Sequence, residues 1–147
     1  MCHVELEAMV PQDAELAAYL SRMYAMFNTG DVSGVDDLVS RDANALGIGT
    51  DPREWWVGDA VHQSFQNQPP EMHAAGLRFE PGDAHIYRED SIAWIADQPV
   101  LKLPDGGDVP MRLTLVCHQE DGDWKMMHFH LSVGTANEET IDEELTI

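Results

Sequence analysis

Val109-Pro110-Met111-Arg112-Leu113-Thr114-Leu115-Val116-Cys117-His118-Gln119, followed by Glu120-Asp121-Gly122-Asp123 and then by Trp124-Lys125-Met126-Met127-His128-Phe129-His130-Leu131-Ser132-Val133, is the stretch on which the fold turns. Two runs of strand-forming residues flank turn chemistry, which predicts one long antiparallel hairpin. The turn has two possible constructions, and they differ by one residue in register. A two-residue turn at Asp121-Gly122 would place Arg112, Thr114 and His118 with Met127, Phe129 and Leu131, mixing polar and apolar groups on both faces. A three-residue turn closed by a glycine bulge gathers Leu113, Leu115, Met127, Phe129, Leu131 and Val133 on one face. Arg112, Thr114, His118, Trp124, Met126, His128, His130 and Ser132 then share the other face, with Arg112 opposite His130. Burial rewards segregation, because a one-residue slip exchanges the whole apolar set between core and outer face. The bulged turn is therefore the expected one. Its first face covers the helices and lines any interior cavity. Its second face is too rich in Trp, Met and His for open water, and Arg112, Trp124, His128 and His130 are expected to form a dimer face.

Working outward, Leu77 to Arg88 and Ile92 to Leu103 are two further strand runs, separated from each other by Glu89-Asp90 and from the hairpin by Pro104-Asp105-Gly106-Gly107. The region before them reads as helices. Leu16, Tyr19, Leu20, Met23, Met26 and Phe27 recur at three- and four-residue steps, which predicts a helix over about 12–28. Gly30 suits its left-handed stop, and Asp31 suits the cap of a short second helix from Val32 to Val39. Residues 43–49 read as a short strand, and a third helix is expected from Asp59 until Pro69-Pro70 stops it. The expected class is α+β, with three N-terminal helices packed on a curved, mostly antiparallel sheet. Boundaries fall at 1–11 for an N-terminal lead, 12–135 for the domain and 136–147 for an acidic tail. Glu138 to Ile147 holds five acidic side chains and no base, the composition of a mobile, solvated end.

The whole chain has 147 residues and carries 27 Asp and Glu against 8 Lys and Arg, a formal charge of −19. Length points to one domain with a core large enough to need no disulfide. The charge excludes nucleic acid and anionic membranes as partners, since both attract Lys and Arg and repel this surface. Cys2 and Cys117 form no metal or redox spacing, and the start of the chain has neither a basic nor an apolar leader segment, so a reduced, cytoplasmic protein is expected.

Four features carry a resemblance: the order of elements, Asn28-x-Gly30-Asp31, the segment Gly49-Thr50-Asp51-Pro52-x-Glu54-Trp55-Trp56-x-Gly58, and the ending Asp121-Gly122-Asp123-Trp124 to Ser132. Over roughly residues 12–134 the chain is similar to SnoaL-like proteins of the nuclear transport factor 2-like superfamily. The ending also resembles the association domain of calcium/calmodulin-dependent kinase II, where a similar Trp and His-Phe-His run closes an oligomerising hub. The resemblance implies a cystatin-like cone, with a sheet wrapped around helix one and an apolar pocket within. That cone hosts isomerases, cyclases, dehydratases, binding proteins and scaffolds, so it leaves the chemistry open. The ketosteroid isomerase branch uses a Tyr on helix one and two Asp residues. Their positions fall here on Met23, on Gly47 and near Leu113 to Leu115, so that pattern is not matched.

Within this frame the expected pocket residues are Tyr19, Met23, Trp55, Leu113, Leu115, Met127, Phe129 and Leu131, around a small apolar organic guest. Trp55-Trp56 could be an aromatic lid, with Arg53 attracting a carboxylate, or a core cap beside a dimer-surface residue. Asp97 interrupts an apolar strand. Inward it would be the best acid or base, and outward, the favoured reading, it would be solvated. His62 is a second candidate. His118, His128 and His130 could supply three imidazoles, but packing on a dimer face outweighs a metal site there because Arg112 stands among them. No metal is therefore assigned, and no cofactor motif is present. Three functions remain: a small-molecule-binding domain, an isomerase, cyclase or hydratase, and a homo-oligomerising module without a ligand.

Overall fold

The computed structural model describes residues 13–147, so the lead at 1–11 lies outside the described residues. Helix α1 spans Ala14–Thr29. The Asp13 carboxylate caps it by accepting from the amides of Glu15 and Leu16, and Gly30, at φ 74°, closes it by donating to the Met26 carbonyl. The apolar stripe of Leu16, Tyr19, Leu20, Met23 and Met26 is buried, and Tyr24 is buried with it. Helix α2 is one turn, Val35–Leu38. It starts later than the expected Val32, because the Asp31 carboxylate accepts from Ser33 in a local turn and does not cap a helix. Helix α3, Asp59–Ala74, runs straight through Pro69 and Pro70. Both rings fit helical φ. The cost is two missing amide donors, offset by complete burial of Pro69. The expected tail contains a fourth short helix, α4, Asn137–Ile141, exposed along its length.

Eight strands are formed among the described residues: β1 Leu46–Ile48, β2 Trp55–Val57, β3 Arg78–Glu80, β4 His85–Glu89, β5 Ile92–Asp97, β6 Val100–Lys102, β7 Asp108–Glu120 and β8 Asp123–Val133. The expected runs 77–88 and 92–103 are each divided in two, at Pro81-Gly82 and Gln98-Pro99, where proline cannot donate to a ladder. The sheet order is β2-β1-β8-β7-β5-β4, with β6 pairing both β7 and β3. Neighbours are antiparallel except β1 and β8, so the sheet is mixed. The α+β class holds, with α4 following the sheet.

The long hairpin corrects the expected register. Its turn is the tight one: Asp121 and Gly122 have φ of 53° and 86°, and Glu120 faces Asp123. The extra residue lies inside the strand, since Val116 pairs with His128 while Cys117 pairs with Met126, leaving Met127 as a β-bulge. Segregation is thus achieved away from the turn. Leu113, Leu115, Phe129 and Leu131 still share the inner face, and beyond the bulge Met126 and Trp124 join them in the core. Arg112 faces Ser132, and Thr114, not Arg112, faces His130. Trp124 is consequently removed from the expected outer face, which keeps Arg112, His128 and His130.

Candidate functional site

Helices α1 and α3 pack against the inner sheet face and leave a cavity of about 320 Å³ between them. Helix α1 contributes Met23, Tyr24 and Phe27, and the sheet contributes Met111, Leu113, Leu115, Phe129 and Leu131. Leu77, Phe79 and Leu101 close another side. The aromatic rings hold one another edge-on: Phe65 stands 5.0 Å from Phe129 and 5.5 Å from Phe27, and Phe27 stands 5.6 Å from Phe79.

Five of the eight expected pocket residues line this cavity: Met23, Leu113, Leu115, Phe129 and Leu131. Tyr19 does not. It is fully buried one turn before Met23, and its hydroxyl donates to the Leu38 carbonyl at 2.5 Å, tying α1 to α2. Met127 is lost to the bulge. Trp55 is 62% exposed, and its neighbour Trp56 takes the inner position. Adjacent strand residues must point to opposite faces. Trp56 pairs with Gly47, whose missing side chain leaves the inner face to the Phe129 ring, and Trp56 stacks at a tilt on that ring at 5.9 Å. Arg53 is bound to Asp51 and points into solvent, so it is no anchor for a guest.

The polar lining is gathered on one side. Thr50 and Glu54 come from the β1–β2 connection, and Ser64, Gln68 and Glu71 from α3. Thr50 and Glu71 are exposed, so this side is the mouth. The Glu54 carboxylate is fixed at both oxygens: Oε1 accepts from the Asp51 amide at 2.9 Å and Oε2 from Gln68 Nε2 at 2.6 Å. Gly49 permits this, because a Cβ there would lie 2.6 Å from Glu54 Oε1. Glu54 and Gln68 were not readable as site residues, since their meeting depends on how α3 crosses the β1–β2 loop. The only local signal was a carboxylate beside a tryptophan pair.

Asp97 is buried, at 4% exposure, contrary to the outward, solvated position expected. Tyr24 donates to its Oδ2 at 2.6 Å, the Gly82 amide donates to the same oxygen at 3.2 Å, and the Gln98 amide donates to Oδ1 at 2.9 Å. Burial, reinforced by the adjacent carboxylate, pushes the Tyr24 phenol far above its ordinary range. Tyr24 lines the cavity while Asp97 lies behind it, so the phenol's one proton is committed to Asp97. His62 is also away from the cavity. Its Nε2 lies 2.6 Å from Asp36 Oδ1, and its Nδ1 is buried with no partner among the described residues. The imidazole bridges α3 to α2 and does not reach the guest space. His118 sits 2.5 Å from Glu120, and His128 Nδ1 donates to the Leu46 carbonyl at 2.8 Å. Each of these two histidines has its own partner on the outer side of the sheet.

The same fold is found in solved proteins. A nuclear transport factor 2-like protein of unknown function from Pseudomonas putida superposes with a TM-score of 0.74 at 16% identity, covering 90% of this chain and 92% of that one. A protein with a cystatin-like fold from Caulobacter vibrioides gives 0.67 at 15% identity, over 87% and 93%. A candidate calcium/calmodulin-dependent protein kinase II association domain from Xanthomonas campestris gives 0.66 at 21% identity, over 86% and 91%. At these identities the likeness shows the fold alone. No curated protein matches the chain. Residues 16–136, which include all but the first two residues of α1, the whole sheet and every wall of the cavity, match the SnoaL-like domain, and the chain belongs to that family.

Proposed function

We propose that this protein binds a small, mainly apolar molecule in the cavity between α1, α3 and the sheet. The supporting observation is the cavity itself, about 320 Å³ walled mainly by aromatic, Leu and Met side chains, with its carboxylates at the mouth. A water occupies about 30 Å³ in the liquid, so the space suits a guest of roughly ten to fifteen non-hydrogen atoms. The thioethers of Met23, Met72 and Met111 adapt to an irregular guest. Neutral bicyclic aromatics such as 2-naphthol are expected to raise the melting temperature. Trp56→Ala should weaken their binding about tenfold, one step of about 1.4 kcal/mol. Trp55→Ala should leave it unchanged. A panel of such probes that never shifts the melting curve would remove the proposal.

The isomerase, cyclase or hydratase reading is supported at a different residue from those expected. Glu54 is a half-buried carboxylate on the cavity wall, whereas Asp97 and His62 are not part of the lining.

A homodimer through the outer sheet face is also proposed. Tyr87, Trp94, Val116, His128, Leu46 and Val57 are successive cross-strand partners, which makes one row across six strands. Tyr87 and Trp94 stack at 4.3 Å, and both remain largely exposed, as do Val57 and Trp55. Such a row is more apolar than open solvent favours, with Arg112 and His130 beside it as polar neighbours. Trp94→Asp is expected to yield a monomer in sedimentation equilibrium with the cavity intact. An unchanged oligomeric state would argue against this face. The acidic surface should keep polyanions and anionic membranes away, and no helix among the described residues is long and apolar enough to cross a membrane. The unpaired, buried Cys117 is in keeping with a reducing cytoplasm.

A further inference from the structure

The mouth of the cavity has one sign of charge. Glu54 and Glu71 are its ionisable groups, and no Lys, Arg or His occurs among the described lining residues. Arg53, the nearest cation in sequence, is held by Asp51 at 3.0 Å in solvent. The rest of the surface adds to the same field, with a formal charge of −19 over the whole chain.

We infer that the cavity discriminates by charge, rejecting carboxylate guests and taking neutral or cationic ones, and that Glu54 is the acceptor that recognises a hydroxyl or ammonium group on the guest. This rests on the binding reading above. Two ionised carboxyl oxygens offer about four acceptor positions. The Asp51 amide and Gln68 use two of them. The carboxylate is therefore half-buried and oriented, with acceptor positions left over by its partners among the described residues, at the rim of an apolar space. A guest hydroxyl or ammonium that reaches it forms a charge-assisted bond without the entropy cost of fixing a mobile side chain. A guest carboxylate at the same place meets the like charge of Glu54, with no Lys, Arg or His among the described lining residues to offset it. Association follows the same sign, since a negative mouth under a negative surface field attracts cations and repels anions.

Four probes of one shape separate the parts: naphthalene, 2-naphthol, 2-naphthylmethylammonium and 2-naphthoate, measured by calorimetry on the full chain at neutral pH. The naphthol and the ammonium are expected to bind more tightly than naphthalene, and the naphthoate at least tenfold more weakly than the naphthol. Glu54→Gln should erase most of that spread. Glu71→Lys, at an exposed helix position with little bearing on folding, should narrow the gap between ammonium and naphthoate even where Glu54→Gln proves unstable. Equal affinity for naphthoate and naphthol, or a ranking that neither substitution moves, overturns the inference while leaving the cavity a binding site. Failure of all four probes to bind removes the binding reading and this inference together.

Discussion

Asp97→Ala is expected to destabilise the protein by about 3 kcal/mol, because one buried phenol and two part-buried amides lose their common acceptor. The carboxylate is the common acceptor for the Tyr24 hydroxyl and for the amides of Gly82 and Gln98. Alanine leaves the buried Tyr24 hydroxyl without its acceptor, an unsatisfied group that costs about 1–3 kcal/mol, and takes the acceptor from two part-buried amides that water reaches more readily. Tyr24→Phe should cost less, about 1–3 kcal/mol, because Asp97 keeps both amides. The pair is tested by urea unfolding of both single variants and the double variant. A coupling energy near zero would mean that the phenol and the carboxylate act independently. A domain of this size is stable by only about 5–15 kcal/mol, so Asp97→Ala removes a large share of its margin. Asp97 therefore behaves as a structural acceptor for the wall behind the cavity.

Alkaline pH is the second large lever. Burial pushes the Cys117 thiol from 9.0 up to about 12, and burial holds the Tyr19 phenol well above its usual 10.0. In the unfolded chain both groups lose their protons at ordinary pH values, so above pH 9 the folded state binds more protons than the unfolded one. Stability is then fully present below pH 9 and falls as pH rises, by up to about 1.4 kcal/mol per pH unit for each group that has begun to differ. Cys117 acts from pH 9 and Tyr19 from pH 10, with Tyr24 adding in the same direction, for a loss of about 4 kcal/mol or more by pH 11. Urea midpoints between pH 8 and pH 11 measure it, and Cys117→Ala should flatten the first part of the decline. A midpoint that stays level across this window would contradict the burial of these groups. The same burial makes the Cys117 thiol inert to iodoacetamide at pH 8, with labelling at Cys117, mapped by peptide mass, appearing only on unfolding.

Several outcomes were already legible along the chain. The stripe on α1, its Gly30 end and the apolar positions of β7 and β8 are local patterns, set by the 3.6-residue period of a helix, the left-handed freedom of glycine and the 2-residue period of a strand. From them follows the α+β class; the resemblance to a SnoaL-like domain rests on the motifs at 28–31, 49–58 and 121–132, and the two together point to five of the cavity residues. The same periods also limited the reading. They show that Trp55 and Trp56 point apart, but not which of them faces inward. They reward segregation in the long hairpin equally whether the extra residue sits in the turn or at Met127.

What the amino-acid order determined by itself is which residues share a face. What only the tertiary structure decided is which face is buried, and against what. Trp56 turns inward because β1 pairs in parallel with β8, some eighty positions later in the chain, bringing Gly47 beside Phe129. Asp97 turns inward because Tyr24, 73 residues away, meets it with a hydroxyl. Glu54 becomes part of a mouth because Gln68 on α3 reaches across to it. Each of these is a contact between distant segments, and its energy comes from burial and from hydrogen bonds that exist only once both partners have left water.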